Sequence, residues 1–452
     1  MAVFSAQDSS RAANRRTDNP GDSQSRQSGH RHQSVLPRSN PPPSVARSVA
    51  SIRREQRRIS QHSDRTAARG SRKSAGFGAR WNRACTRPLS VRLRGLRGGR
   101  AEMTKRVLVL GAQVPFARGG AENLNAGLVQ AIAAHVPGVQ VDLVQLPFKH
   151  YPEERLITEM MTWRLLDVSE VDGNRVDLVI ATKFPTYAVR HPNKLLWLVH
   201  QYRQAYDLAG TIYDRPELTE LEVAARRKLH ELDTRFMGEC VRRFAISETV
   251  SERLRRFNDL LSAPLWPPSL MQDRIHPGPY SDRVIYFGRL DRSKRASLAL
   301  EAAALLPAAQ VTIYGAGTDE ADLRNRIGQL GLSDRCRLGG YLTDDALIAE
   351  LSRARAVFYG PYDEDYGYAT IEAFLAEKPV ITCSDSGEPA RIVDRTGGGW
   401  VVEPQPSAIA AAIEQVYLAS DTDLAVRGRA GAAFARQLSW RHVVDELVVP
   451  YL

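Results

Sequence analysis

The stretch VIYFGRLDRSK, residues 284–294, joins a short apolar run to a glycine and a group of basic residues. Residues 284–287 are β-branched or aromatic, which predicts a buried strand that ends at the glycine. Similar runs recur downstream, with helical spacing between them at residues 296–306 and 409–418. The predicted strands of this series lie at residues 284–287, 311–314, 336–338, 356–359, 380–382 and 400–402. Strands that alternate with helices form parallel βα units, so the pattern predicts a doubly wound α/β domain.

A second series of the same kind precedes this one. Its predicted strands lie at residues 107–110, 139–143, 178–181, 195–199 and 244–246. Five prolines crowd residues 264–279, between the two series, and this composition is typical of a linker. The sequence therefore predicts two Rossmann-like domains, residues 104–275 and 276–436, that face each other across a cleft. Open parallel sheets bind ligands at the carboxyl ends of their strands, so the candidate residues are expected there.

The first 100 residues differ from the rest of the 452-residue chain in charge. They contain 22 Lys and Arg against 5 Asp and Glu, a net charge of +17, whereas the remainder carries −6. They lack apolar periodicity, so residues 1–102 are predicted to be disordered. Three interpretations stay open: a basic tail that contacts nucleic acid or anionic lipid, a transit peptide, or sequence upstream of a true start at Met103. The third is favoured because a strand signal begins directly after Met103, and nucleic acid is not an expected partner.

The remaining composition predicts a cytoplasmic protein. The cysteines form no CxxC pair, so neither a metal site nor a disulfide framework is expected; they are Cys85, Cys240, Cys336 and Cys383. No apolar run approaches the roughly 20 residues that a membrane helix needs. Residues 224–257 carry nine Lys and Arg. This stretch is either a solvated helical surface or a surface that binds peripherally to anionic lipid at the inner face of the membrane.

Two carboxylates flank a glycine turn in the stretch EDYGYATIE, residues 364–372. A strand is predicted to end near residue 359, and a helix to begin near residue 368. Glu364 is then expected on the loop and Glu372 in the first turn of the helix. The amide groups of Gly367, Tyr368, Ala369 and Thr370 are expected to be free and to point between them, and a helix N-terminus binds phosphate. This geometry fits a sugar nucleotide; the alternative is that Glu372 only favours the helix dipole and Glu364 is solvated.

Three further segments follow predicted strand ends. Arg289 and Lys294 suit a diphosphate, because the first can form a fork of two hydrogen bonds and the second is a point charge. The paired glycines of Arg118-Gly119-Gly120-Ala121-Glu122 would let backbone approach a ligand before a helix. His200 could orient a reacting sugar. The alternatives are surface charges near a turn, a tight turn with no ligand, and a structural histidine, respectively.

These motifs occur together in one known family. The Gly-Gly-Ala-Glu run at 119–122, the Gly-Arg-Leu-Asp-x-x-Lys run at 288–294 and the Glu-x7-Glu spacing at 364–372 stand in the expected order. From about residue 104 to residue 452 the chain resembles the family 4 glycosyltransferases of the GT-B fold. Residues 437–452 resemble the family's C-terminal helix, which crosses back to the first domain. Arg391 departs from the pattern, because a glutamate is frequent at that position.

The resemblance implies a retaining, metal-independent transfer of a sugar from a nucleotide donor, UDP- or GDP-linked, with no cofactor. By position, Arg289 and Lys294 would hold the diphosphate, Glu364 would contact the donor sugar and the reaction centre, and Glu372 the ribose. His200 matches the family's sugar-contacting histidine. The predicted catalytic residues are thus Glu364, His200, Arg289 and Lys294. The predicted donor-binding residues are Gly119, Gly120, Arg289, Lys294, Gly315, Leu342, Glu364, Gly367, Tyr368, Ala369, Thr370 and Glu372.

Other functions stay open at this point. The first domain would bind the acceptor, a glycan, a lipid-linked group or a small molecule, which the sequence does not identify. A nucleotide-sugar epimerase or a phosphorylase can share the architecture, and a non-catalytic nucleotide-sugar-binding protein would need the same donor site. A glycosidase also uses paired carboxylates, but it would not need the cations at 289 and 294. A dinucleotide dehydrogenase is disfavoured because Gly315-Ala316-Gly317 lacks the third glycine of its motif.

Overall fold

Strand β1, Lys105–Gln113, is the first strand of the first sheet along the chain. The computed structural model describes residues 104–116 and 119–452. The predicted disordered head, the proposed start at Met103 and Arg118 lie outside the described residues.

The first sheet has six parallel strands in the order β2-β1-β5-β6-β7-β8. Every residue of the inner strands β5 and β6 is buried, as expected for strands covered by helices on both faces. The strands after β1 are β2 (Val139–Pro147), β5 (Leu178–Ala181), β6 (Lys194–Leu198), β7 (Arg242–Ala245) and β8 (Ala263–Pro264). A separate antiparallel pair, β3 (Glu170–Val171) with β4 (Asn174–Arg175), was not predicted.

Four helices accompany the first sheet: α1 (Gly120–His135), α2 (Leu156–Leu165), α3 (Glu220–Gly238) and α4 (Glu248–Asn258). Side chains cap two of them. Thr219 accepts a hydrogen bond from the amide of Glu222 at the start of α3, and Ser247 accepts one from Val250 at the start of α4. Such caps satisfy amides that have no partner within the helix, and they fix where each helix begins.

The second sheet is also parallel and has the order β11-β10-β9-β12-β13-β14. Its strands are β9 (Arg283–Phe287), β10 (Gln310–Tyr314), β11 (Cys336–Gly340), β12 (Ala356–Phe358), β13 (Val380–Cys383) and β14 (Gly399–Val402). The chain builds outward from β9 to β11, then returns to the other side of β9 with β12. The point between β9 and β12 is therefore a topological switch point, where doubly wound sheets bind ligands.

Eight helices follow in the second half of the chain. They are α5 (Ser297–Leu305), α6 (Glu320–Gln329), α7 (Asp344–Arg353), α8 (Tyr368–Leu375), α9 (Glu388–Thr396), α10 (Pro406–Leu418), α11 (Asp421–Ala435) and α12 (Trp440–Leu447). We call residues 105–264 the first lobe and residues 283–435 the second lobe; both belong to one compact unit.

The last helix, α12, packs on α1 of the first lobe. A Cβ atom added to Gly127 would lie 2.2 Å from Cζ2 of Trp440, so only a glycine leaves room for the indole. The Trp440 ring also meets Trp197 edge to face, with 6.3 Å between the ring centroids. Further along, the backbone carbonyl of Tyr451 accepts a hydrogen bond of 2.8 Å from the Asn193 side chain. The C-terminal segment thereby joins the end of the chain to the first sheet.

The predicted fold class, two parallel sheets with helices on them, is confirmed. Each predicted strand is present, most of them longer or shorter by a residue or two. The predicted linker contributes β8, whose Pro264 stands on the last strand of the sheet, a position that tolerates a residue without an amide hydrogen. Within the described residues, no helix is both long enough and apolar enough to span a membrane.

The basic stretch 224–257 is not uniformly a surface. Arg226 and Arg253 are buried, with 8% and 5% of their area exposed. Arg226 forms two-pronged pairs with Glu153 and Asp214 at 2.7–2.9 Å. The prediction of nine solvated or lipid-facing charges is therefore wrong for these two arginines, because each is paired with carboxylates inside the protein.

Candidate active site

The loop after β9 carries the first candidate residues, and glycines hold it in place. A Cβ atom on Gly315 would lie 1.9 Å from the carbonyl oxygen of Gly288, and one on Gly317 would lie 2.2 Å from that of Leu290. The turn after β10 therefore packs directly against the backbone of the loop after β9. Gly315 therefore lies beside the switch point, where only a residue without a side chain leaves room for the carbonyl of Gly288.

Arg289 and Lys294 lie in different surroundings. Lys294 ends a short 3-10 turn that Asp291 caps, and it is only 9% exposed. Its ammonium group forms a short ion pair with the carboxylate of Glu364. The Arg289 side chain is 69% exposed and lies 3.3 Å from Asp291. Of the two residues predicted to contact phosphate, Lys294 is therefore buried and paired with Glu364, whereas Arg289 is exposed.

Glu364 follows β12 on a loop, residues 360–367, that backbone hydrogen bonds fix on two sides. The amide of Tyr362 donates to Ser293 at 2.8 Å, beside the turn of Lys294. The amide of Glu364 donates to Ser386 at 2.9 Å, and its carbonyl accepts from Glu388 at 3.1 Å. The loop after β12 is thus attached both to the loop after β9 and to the loop after β13. This attachment brings the carboxylate of Glu364 to Lys294, across the switch point.

Helix α8 begins at Tyr368, as predicted, after a left-handed residue. Gly367 has φ of 81°, and an added Cβ would lie 2.7 Å from Pro389. The position therefore demands glycine on both conformational and steric grounds. The prediction that all four amides at 367–370 are free is wrong for Thr370, whose amide donates to the carbonyl of Gly367 at 2.9 Å. The amides of Tyr368 and Ala369 remain at the start of the helix.

Glu372 lies one turn later than predicted. The first turn of α8 contains no acidic residue, so Glu372 stands in the second turn, half-buried. The hydroxyl of Ser269, from the segment that connects the lobes, donates to its carboxylate at 3.0 Å. Burial raises the pKa of Glu372 to about 7, against the opposing effect of the Ser269 hydrogen bond. A carboxyl with such a pKa can exist in either form near neutral pH.

The glycine pair of the first lobe, Gly119 and Gly120, lies next to the start of α8. A Cβ atom on Gly120 would lie 3.2 Å from the ring of Tyr368. The amide of Gly119 donates to the carboxylate of Glu122 at 2.9 Å, and Lys183 pairs with that carboxylate at 2.9 Å. The N-terminus of α1 therefore lies against the N-terminus of α8, with two glycines between them.

His200 follows β6 and is half-buried, with Nδ1 2.6 Å from the carbonyl of Gln201. Burial lowers its pKa below the ordinary value of 6.5, although the nearby charge of Asp365 opposes this effect. The ring is therefore neutral at neutral pH, with one nitrogen engaged by backbone. Leu342 follows β11 and is half-buried, and the carbonyl of Gly340 just before it accepts from Gly315 at 2.8 Å.

The sequence did not reveal several residues that support this site. Glu388 is fully buried and accepts hydrogen bonds from the amide of Thr249 at 2.9 Å and from the indole of Trp266 at 2.7 Å. Arg203 and Arg253 of the first lobe contact the loop of Glu364. Arg391, the departure from the family pattern, forms an exposed ion pair with Glu252 of the first lobe. Only tertiary contacts distinguish these residues from ordinary surface charges.

Comparisons with known proteins agree with this architecture. Residues 278–430 match the family described as glycosyl transferases group 1. The chain is 31% identical over 173 residues to a D-inositol 3-phosphate glycosyltransferase of Mycolicibacterium gilvum, covering 37% of this chain and 38% of that protein. It is 30% identical over 176 residues to a GDP-mannose:cellobiosyl-diphosphopolyprenol alpha-mannosyltransferase of Xanthomonas oryzae pv. oryzae, covering 37% and 46%. The chain thus matches less than half the length of these relatives.

The likeness to solved structures extends over both lobes. A sucrose-phosphate synthase from Thermosynechococcus elongatus superposes with a TM-score of 0.63 at 19% identity, over 77% of this chain and 98% of that one. Anabaena HepE in complex with UDP and glucose superposes with a TM-score of 0.56 at 16% identity, over 76% and 100%. These likenesses show the fold of the two lobes, and the family match shows what residues 278–430 are similar to. The chain therefore has the two-sheet GT-B fold, and its residues 278–430 are similar to the glycosyl transferases group 1.

Proposed function

We propose that the chain is a retaining glycosyltransferase, which moves a sugar from a nucleotide-diphosphate donor to an acceptor on the first lobe. One observation carries the proposal. Lys294 from the loop after β9 and Glu364 from the loop after β12 meet across the switch point of the second sheet. A buried cation and a carboxylate that is 12% exposed can each hold a different part of an activated sugar at that point.

The donor's diphosphate would lie at the N-terminus of α8. The amides of Tyr368 and Ala369 and the helix dipole favour an anion there. Lys294 would contribute a fixed positive charge, and the exposed Arg289 would close onto the phosphates from solvent. As the sugar leaves, negative charge grows on the diphosphate, and these groups would neutralise it without reorganising. In this proposal the two cations, and no metal ion, stabilise the leaving group.

The ion pair between Lys294 and Glu364 has a specific part in this proposal. With donor bound, the lysine would turn to a phosphate oxygen and the glutamate to a sugar hydroxyl, so both buried charges stay compensated. Ser269 and Glu372 would then hold the ribose, and the backbone near Leu342 would contact the base. Gly119 and Gly120 would let the first lobe approach the donor without a side chain between them.

His200 completes the donor side from the first lobe. Because its ring is neutral at neutral pH, it can hydrogen-bond a sugar hydroxyl without placing a positive charge near the reacting carbon. Its Nδ1 is engaged by the carbonyl of Gln201, which fixes the ring orientation. We propose that it orients the donor sugar rather than transferring a proton.

We propose that the donor is UDP- or GDP-linked. The Xanthomonas relative is named for GDP-mannose and the Anabaena structure contains UDP. The acceptor would bind at the carboxyl edge of the first sheet, where Phe116 and Tyr151 are exposed, 106% and 60%. Lys149 lies over the Tyr151 ring, 4.7 Å from its centroid. Exposed aromatic rings beside a cation suit a sugar ring or an anionic group of an acceptor.

The test is donor turnover by the full chain. Wild type is incubated with a panel of nucleotide sugars, and release of the nucleoside diphosphate and the anomeric configuration of the product are measured, with and without EDTA. Turnover with retention and no loss in EDTA is expected. Glu364→Gln should lose at least about 100-fold in rate, the size of one preorganised contact in the transition state. Glu414→Gln, an exposed glutamate on α10, is the matched control and should not change the rate.

Three outcomes would contradict the proposal. They are no turnover with any donor, an epimerised donor with no transfer, and equal rates for Glu364→Gln and wild type.

Peripheral contact with a membrane is a separate proposal for the exposed basic residues of α3 and α4. Arg255 and Arg256 are both exposed on α4, and each such charge near an anionic surface contributes about 1 kcal/mol. Flotation of the full chain with phosphatidylserine vesicles, compared with Arg255→Glu/Arg256→Glu, is the measurement. Equal flotation of the two proteins would assign any binding to other parts of the chain.

A further inference from the structure

We propose that Arg203 and Arg253 of the first lobe are positioning residues, which hold the loop of Glu364 in its active place only while the two lobes are closed on each other. This inference rests on the proposed function, because it concerns how Glu364 is placed for transfer. The two arginines and their carboxylate partners Asp363 and Asp365 are called the arginine clamp below.

Arg253 of α4 contacts both residues that flank Glu364. Its guanidinium forms a short ion pair with Asp365, lies 3.0 Å from the carboxylate of Asp363, and donates to the carbonyl of Asp363. Arg203, just after His200, donates to the same carbonyl at 2.6 Å and lies 3.7 Å from the Asp365 carboxylate. The first lobe therefore holds the loop immediately before and immediately after Glu364.

The clamp is buried rather than a surface bridge. The side chains of Arg203 and Arg253 are 13% and 6% exposed, and that of Asp365 is 15% exposed. Asp207 of the first lobe, 4% exposed, lies 2.7 Å from Arg203 and 3.7 Å from Arg253. Asp207 therefore lies close to both guanidinium groups from within the first lobe. Burial raises the pKa of the Asp365 carboxyl, but the charges of Arg203 and Arg253 outweigh this effect and hold the pKa well below its ordinary value.

Besides the clamp, the loop is supported by main-chain contacts within the second lobe and by the Ser247 hydroxyl of the first lobe, which donates to the carbonyl of Asp365. Asp363 and Glu364 donate through their amides to Asp385 and Ser386 at 2.8 and 2.9 Å. These contacts fix the backbone path, but they do not hold the two aspartates. If the lobes separated, the carboxylates of Asp363 and Asp365 would lose their guanidinium partners, and the two arginines would keep only Asp207. Charged hydrogen bonds in a buried place are the strong ones, so closure and the position of Glu364 are coupled.

Two other pairs between the lobes provide a natural control. Arg391 pairs with Glu252, and Arg395 pairs with Glu248 at 2.5 Å. The side chains of all four are 33–52% exposed, and they do not belong to the loop of Glu364. Glu252 is the neighbour of Arg253 on α4. Removal of Glu252 therefore breaks a contact between the lobes at the same helix without touching the clamp.

The first experiment measures turnover in full-chain variants. Arg253→Lys keeps the positive charge but loses the fork of hydrogen bonds. Asp365→Asn removes the negative charge that pairs with Arg253. Both should lower kcat at least tenfold with the donor KM changed less than threefold, because the proposed diphosphate contacts, Lys294 and the start of α8, lie in the second lobe. Glu252→Ala should stay within twofold of wild type. Equal losses in all three variants, or no loss in any, would overturn the proposal; melting temperatures identify a variant that has simply unfolded.

The second experiment does not depend on activity. Spin labels at Leu165→Cys on the first lobe and Leu418→Cys on the second, both at least 80% exposed positions, report the distance between the lobes in a Cys85→Ser background. One narrow distance is expected for wild type and for Glu252→Ala. A second, longer distance is expected for Arg253→Lys. If Arg253→Lys keeps the single distance, the clamp does not hold the lobes. Absence of donor turnover would refute the proposed function, but this measurement would still decide the clamp.

Discussion

Replacement of Glu372 by glutamine tests the electrostatics of the donor site through stability alone. The folded protein holds the proton of this carboxyl up to pH about 7, whereas the unfolded chain releases it near the ordinary value of 4.5. Between these two values the folded state binds more protons than the unfolded state. The free energy of unfolding therefore falls as the pH rises through this window.

The expected magnitude follows from the two pKa values. A rise from 4.5 to about 7, at about 1.36 kcal/mol for each pKa unit, sets an upper limit of roughly 3 kcal/mol. Relaxation and water around a half-buried group reduce this, so about 1–3 kcal/mol is expected. Glutamine stays neutral and keeps a partner for the Ser269 hydroxyl. Glu372→Gln should therefore match wild type at pH 4.5 and be more stable than it at pH 8 by about 1–3 kcal/mol.

The assay is urea unfolding of both proteins at pH 4.5, 6, 7 and 8, with the difference between them plotted against pH. Other groups titrate in the same range, among them Asp233, whose pKa burial raises to about 7. The difference removes their contribution, since both proteins contain them. Glu414→Gln, at an exposed position, is the control and should show no pH-dependent difference. A Glu372→Gln difference that is flat with pH, or that grows toward low pH, would refute the reasoning.

The remaining predictions concern other parts of the site and its scaffold. Arg289→Ala should weaken binding of a nucleoside diphosphate by at most about tenfold by calorimetry, since an exposed charge is well screened; a larger loss would contradict its exposed position. Gly127→Val should destabilise the protein by about 1–3 kcal/mol in urea unfolding, because the valine side chain would overlap Trp440. Gly238→Ala, where a Cβ meets nothing within 4 Å, should be close to neutral, and equal effects would refute the packing argument. Tyr151→Ala should raise the KM for acceptor at least fivefold while donor KM is unchanged; an unchanged acceptor KM would remove Tyr151 from the acceptor site.

The parts of the fold that the sequence predicted are those that local pattern determines. Residues 178–181 form a run of apolar side chains that is buried on both faces in the sheet, so the run alone identified the strand. The start of α8 was predicted because Gly367 adopts a left-handed conformation, which ends one element and begins the next. Arg289, Lys294 and Glu364 were chosen as candidates because ligands bind at the carboxyl ends of the strands in parallel sheets, and the structure places all three residues after such strand ends.

The parts that the sequence did not predict depend on pairs that are distant along the chain. Arg253 and Asp365 are separated by 112 residues, and Ser269 and Glu372 by 103. In the sequence, Arg253 cannot be distinguished from the other basic residues of the stretch 224–257. Only the structure shows that it is buried and paired with Asp365 of the second lobe. The one-turn error at Glu372 has a local cause, since the helix begins at Tyr368 and its first turn is already complete before that residue.

The central claim is that a nucleoside diphosphate binds where Lys294 meets the start of α8. Titration calorimetry of the full chain with UDP, GDP and ADP tests it directly, with Lys294→Met and Glu414→Gln alongside. At least one diphosphate should bind wild type and Glu414→Gln equally well. Its affinity for Lys294→Met should fall about 30-fold or more, which corresponds to about 2 kcal/mol. Binding of no diphosphate, or equal affinity for Lys294→Met and wild type, would contradict the claim.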